Sequence, residues 1–160
     1  MQLHNTKIDI TQSQREKLIG ILNQSLADAA DLKSQAKQAH WNVKGANFIA
    51  LHELFDRVAT ELDTHVDDLA ERITTLGGTA MGTVRLAAQN SSLSEYPHEI
   101  SDGAAHVDAL SSAMADFGKK VRSNIDVTDE LGDKDTADLY TGVSRGVDKL
   151  LWFVEAHNQA

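Results

Sequence analysis

The chain has no cysteine and only one proline in 160 residues. Without cysteine there can be no disulfide, thiolate nucleophile, iron–sulfur cluster or cysteine-bound zinc. The lone proline, Pro97, lies in a polar stretch, so no periodic segment elsewhere is interrupted by one. Basic residues are also scarce. Fifteen lysines and arginines face 24 acids, a formal charge of −9 that opposes electrostatic binding to nucleic acid or to an anionic membrane and favours a cation as partner. No apolar run is long enough to cross a bilayer, and the first residues, MQLHNTKIDITQSQREKLIG, lack a basic region leading into an apolar one. A cytoplasmic location is the expectation. What remains is 41% hydrophobic and 24% charged, the profile of an ordinary globular chain of about one domain's length. Residues 1–160 are expected to form one domain, with 1–10 and 158–160 as short tails.

Helical periodicity dominates. Thr11 and Gln14 make a candidate capping box, and Leu18, Ile21, Leu22, Ser25, Leu26, Ala29 and Leu32 carry an i, i+3, i+4 pattern on to Ala36 and His40, with Gly45 as the stop. A second helix starts near Phe48 and places Leu51, Phe55, Val58, Leu62, Val66, Leu69, Ile73 and Leu76 on one face before Gly77-Gly78. The stretch from Gly77 to Ser101 is too long for a structureless loop, so a short helix is expected over Val84–Gln89. A third long helix is predicted from Gly103 to Asn124, capped by Ser101 or Asp102. An acidic turn is expected over Ile125–Asp135, and a fourth helix from Thr136 to His157. Two long hairpins joined by one long crossover describe an all-α, ferritin-like four-helix bundle with a short extra helix between helices two and three.

Chemistry concentrates in residues 40–71. His52 and Asp56 are four apart, as are Asp67 and Glu71, so each pair projects from one helix face. Imidazole and carboxylate without sulfur suit iron, manganese or zinc. His52 and Asp67 are fifteen residues apart on one helix, roughly 22 Å at about 1.5 Å per residue, so one chain cannot bring both pairs to one metal. A two-fold axis crossing this helix sets the His52/Asp56 end of one subunit against the Asp67/Glu71 end of its mate, giving two equivalent sites per dimer. His40, beside the turn at Asn42–Gly45, is placed to complete the cluster. An in-bundle di-iron site would need Glu-x-x-His on two of the helices. The Glu-x-x-His spacing in the sequence, Glu95 to His98, contains the proline and falls in the crossover, so the bundle interior is expected to be apolar.

The segments Lys37–Gly45, Leu51–Asp56, Asp67 with Ala70-Glu71-Arg72, Leu76-Gly77-Gly78, Glu95-Tyr96-Pro97, Thr136-Ala137-Asp138 and Leu151–His157 together resemble the Dps family (DNA-binding protein from starved cells) of mini-ferritins, from about Ile10 to His157. The resemblance implies a hollow dodecamer built from two-fold dimers. It implies ferroxidase sites with His40, His52 and Asp56 from one subunit and Asp67 and Glu71 from the other. The implied chemistry is oxidation of ferrous iron by hydrogen peroxide and storage of ferric iron, with protection from oxidative damage; zinc is an alternative occupant. It also implies an electron-donor role for Trp41 and, at a three-fold inlet for iron, Asp133 and Asp138, with Asp129 and Glu130 nearby. His65 and Asp68 flank Asp67 without sharing its face and are candidates for supporting roles. The rival readings are a nucleoid-compacting DNA binder, after the family name, and a bundle with structural metal only. DNA-binding members resemble one another in a lysine-rich tail; here Met1–Ile10 carries only Lys7 as a base, so DNA binding is expected to be weak or absent.

Overall fold

Thr11 opens the first helix reciprocally: its hydroxyl accepts from the Gln14 amide at 3.4 Å, and the Gln14 carboxamide takes the Thr11 amide at 3.1 Å. The computed structural model describes residues 3–159. It contains α1 (Gln12–Asn42), α2 (Phe48–Thr75), α3 (Val84–Asn90), α4 (Gly103–Glu130) and α5 (Lys134–Glu155). Among the described residues there is no β-strand, only an isolated bridge between Lys44 and Asp102. α1 packs chiefly on α2, and α4 on α5, which makes two hairpins.

The apolar stripes meet in one cluster that includes Leu18, Leu22, Leu26 and Leu32 of α1, Leu51, Phe55, Val58 and Leu62 of α2, Leu110, Met114 and Phe117 of α4, and Tyr140, Val143 and Val147 of α5. Sequestering such side chains stabilises each by about 1.5–3 kcal/mol, the principal term favouring the fold. The crossover is pinned onto this bundle. Asp28, 1% exposed, accepts from the Ser92 amide at 2.7 Å and the Ser92 hydroxyl at 2.8 Å, while Lys120 reaches the same hydroxyl at 2.6 Å.

Two expectations are corrected. The segment Ile125–Asp135 is not a long turn: α4 runs on to Glu130, and only Leu131–Asp133 separates it from α5. Ile125 packs against the core and Thr128 is fully buried, its hydroxyl bonded to the Asn124 carbonyl at 2.7 Å, so the acids there occupy the outer face of a continuing helix. The stop comes at Gly132, whose φ of +83° a side chain would resist. Nor is the interior wholly apolar: Ser25, Tyr140 and Asn124 form a hydrogen-bonded line across it. Glu95 and His98 lie exposed in the crossover and bond each other at 2.9 Å.

Candidate metal centre

His40 closes α1 and His52 lies in the second turn of α2, so the short Val43–Asn47 connection brings the two imidazoles together. Their rings stack with centroids 3.7 Å apart and planes inclined by 22°. The hydrogen bonds are reciprocal. His40 Nδ1 meets the His52 carbonyl at 2.7 Å, and His52 Nδ1 meets the His40 carbonyl at 2.8 Å. A carbonyl only accepts, so both Nδ1 atoms carry the proton and both Nε2 lone pairs are left free, the tautomer that a metal requires.

Asp56 stands one turn beyond His52. Its carboxylate takes Lys37 Nζ at 2.6 Å, and that contact, aided by the Lys37 charge and the two imidazoles, holds its pKa below the ordinary value. Lys37 is the site residue that periodicity does not reveal. It sits one turn before His40, and its ammonium also lies 5.7 Å from the Trp41 ring centre. Trp41 itself is 65% exposed.

Asp67 and Glu71 are exposed on the far half of α2, as is Asp68. Among the described residues, no three histidine, aspartate or glutamate side chains of one chain gather around a common metal position. His65 turns away from the Asp67 face and lies against α5, where a Cβ on Gly146 would come within 2.7 Å of its Nε2. Burial lowers its pKa, opposed by the charges of Asp68 and Glu61, and its Nδ1 is buried without a partner.

Asp133 is engaged within its own subunit. At 2% exposure it caps α5 through the Thr136 amide at 3.1 Å and receives Arg72 Nη2 on both oxygens at 2.7 and 2.9 Å. Burial pushes its pKa up, but the hydrogen bonds from Thr136 and Arg72 outweigh it and hold the value below normal. Asp129, Glu130 and Asp138 are exposed around the α4–α5 turn, with Asp129 paired to Lys134.

Known proteins share this fold. The ferritin-like domain family matches residues 19–160. A "DNA protection during starvation protein" of Agrobacterium fabrum is 46% identical over 99% of this chain and 98% of its own length. The solved structure of DpsC from Streptomyces coelicolor superposes with a TM-score of 0.92 at 31% identity, over 97% of this chain and 91% of that one. Dps from Microbacterium arborescens in its high-iron form gives 0.87 at 31% identity, over 94% and 97%. A bundle of two hairpins with a helical crossover, a paired-imidazole corner and this likeness along nearly its whole length place the chain in the ferritin-like domain family, as a mini-ferritin of the Dps type.

Proposed function

We propose that the protein oxidises ferrous iron with hydrogen peroxide at sites shared between two-fold-related subunits, and stores the ferric product inside a hollow dodecamer. The observation that carries this is the His40–His52 stack: two imidazoles locked in one tautomer present two free Nε2 atoms beside an ionised carboxylate. The partner subunit's Asp67 and Glu71 complete the oxygen-rich set. Hard and borderline donors with no sulfur accept ferrous iron, leave positions open for peroxide, and become better matched as the ion turns ferric. Peroxide takes one electron from each of two ferrous ions; its O–O bond breaks and both oxygens leave as hydroxide, to be carried into the ferric product. Pairing the electrons in this way avoids release of a hydroxyl radical, which is how such a protein protects a cell.

His40 and His52 hold the substrate ion through Nε2, and their main-chain hydrogen bonds keep the rings from rotating away. Lys37 keeps Asp56 ionised and oriented until iron arrives. Trp41, next to His40, is a reserve electron donor. Exposed Asp129, Glu130 and Asp138, repeated around a three-fold axis, focus cations toward an inlet. Zinc fits the same ligands but has no redox chemistry, so it occupies the site as an inhibitor. The protein then works in the cytoplasm.

The test is mutational. His52→Ala or Glu71→Ala removes one ligand from an accessible site, so peroxide-driven iron oxidation should slow by at least tenfold, the order seen when metal-site partners are lost, with the helical spectrum intact. Unchanged initial rates in both variants would refute the site.

A further inference from the structure

The crossover between α3 and α4 is fastened on both sides of Tyr96. Gln35 Nε2 of α1 donates to the Ser94 carbonyl at 3.0 Å, and the Lys44 amide donates to the Ser101 carbonyl at 2.8 Å. Between these points, among the described residues, 95–100 make no main-chain hydrogen bond to the bundle. A side chain anchors the middle of the segment. Tyr96 is 6% exposed and packs in the core, while its neighbours Glu95, Pro97, His98 and Glu99 are exposed.

The Tyr96 phenol lies 2.7 Å from Nδ1 of His106, a residue 1% exposed on α4. The imidazole faces the carbonyls of Ile100 on the crossover and Asn42 at the end of α1, the Asp102 carboxylate one turn earlier on α4, and the Phe55 ring of α2 at 6.4 Å between centroids. Burial lowers its pKa, against the two carbonyls and the Asp102 charge, and burial raises the pKa of the phenol. Both groups are therefore neutral at pH 7, so the phenol donates and Nδ1 accepts. A proton added to Nδ1 removes that acceptor. Two hydrogens then face each other across 2.7 Å, and a buried phenol left without its partner is costly. A groove of about 470 Å³ between α1 and the crossover, lined by Gln35, Gln38, Tyr96 and His98, gives water a way in as the ring moves.

We propose that Tyr96 and His106 form an acid-released latch, in which protonation of His106 expels the Tyr96 ring and frees residues 95–100 from a bundle that otherwise stays folded. The latch goes beyond the iron reading and does not depend on it. Once the segment has opened, the solvated imidazole takes its proton near the ordinary value of about 6.5, whereas the closed form takes it only at lower pH. The latch is therefore at full strength above about pH 6.5 and weakens as the pH falls below it. A proton bound only by the open form raises the open population about tenfold between pH 7.5 and pH 5.5. The Lys44 amide, whose acceptor is Ser101, loosens with the segment, so the connection between His40 and His52 slackens too.

The experiment is hydrogen–deuterium exchange read by mass spectrometry on the full-length wild type, His106→Gln, Tyr96→Phe and His98→Gln at pH 7.5 and 5.5, corrected for the intrinsic pH dependence of exchange. In the wild type, protection of peptides spanning 95–101 should fall about tenfold on acidification, while peptides from 18–32 in α1 keep theirs. His106→Gln retains an acceptor for the phenol and does not titrate, so its protection should be the same at both pH values. Tyr96→Phe keeps the ring and loses the hydrogen bond; its crossover should exchange faster already at pH 7.5 and respond less to acid. His98 is exposed and bonds Glu95, so His98→Gln should behave as the wild type. Unchanged wild-type protection, or a tenfold loss that persists in His106→Gln, overturns the latch. If His106→Gln does not fold, a full acid response in Tyr96→Phe overturns it instead.

Discussion

His40 and His52 act on one another before any metal is involved. Each fixes the other's tautomer through a main-chain carbonyl, so the tautomer and ring orientation needed for binding are set when the hairpin folds. Asp133 illustrates the other use of a charged side chain. Its folded-state pKa is lowered, so it contributes stability above its unfolded value of about 3.9, and that contribution disappears as pH falls through the lower folded value. Asp133→Asn should cost about 3 kcal/mol at neutral pH, because Arg72, 13% exposed at its side chain, loses its charge partner. Denaturant unfolding at matched protein concentration should show the gap between wild type and variant narrowing below about pH 4; a gap independent of pH would remove the charge from the explanation.

At the scale of the helix, α2 and α5 are fitted to each other by a small residue opposite a large one. Gly146 costs α5 helical propensity but leaves room for the His65 ring. Gly146→Ala alone should therefore destabilise by about 1–3 kcal/mol through overpacking. In a His65→Ala background the same change should be neutral or stabilising by up to about 1 kcal/mol, since alanine is the better helix former. A double-mutant cycle on thermal unfolding measures the coupling, and additive effects would show that the two helices do not meet there. The same scale explains α4. Its outward acids read as a turn in the sequence, yet burial of Thr128 and packing of Ile125 carry the helix through them.

For the whole molecule, the proposed function calls for a site shared between subunits, because the candidate pairs lie far apart along α2. Mixing Asp56→Ala subunits with Glu71→Ala subunits, each inactive alone, should restore activity after reassembly, because a hybrid dimer carries both lesions in one site and none in the other. Failure to complement, with mixed dimers verified by mass, would place all the ligands within one chain. The opposite end of the molecule bears on DNA. The His4 amide bonds the Gly77 carbonyl at 2.8 Å, and Arg15 reaches both the His4 carbonyl at 3.4 Å and the Leu76 carbonyl at 2.9 Å. The chain around His4 is thus fastened to the end of α2, and a formal charge of −9 per chain opposes approach to a polyanion. No retardation of plasmid DNA is expected at neutral pH and physiological salt with metal chelated; a shifted band under those conditions would contradict this.

Helix number, the short crossover helix and the Thr11 and Asp102 caps could be read from residue spacing, because local periodicity and capping chemistry are properties of neighbouring residues. The pairs His52/Asp56 and Asp67/Glu71 could be singled out as candidates for the same reason, since four-residue spacing on a helix is itself geometry, and His40 was added from its place beside the Asn42–Gly45 turn. What spacing could not contain is which distant groups meet. Only tertiary packing laid His40 on His52, brought Lys37 to Asp56, turned His65 onto Gly146 and withdrew Asp133 to Arg72. The pairing of Tyr96 with His106 belongs to the same class, because its two partners lie on different segments and share neither a helix nor a face. The length of α4 was decided there too, since the energy that extends a helix through unfavourable residues comes from the core it covers.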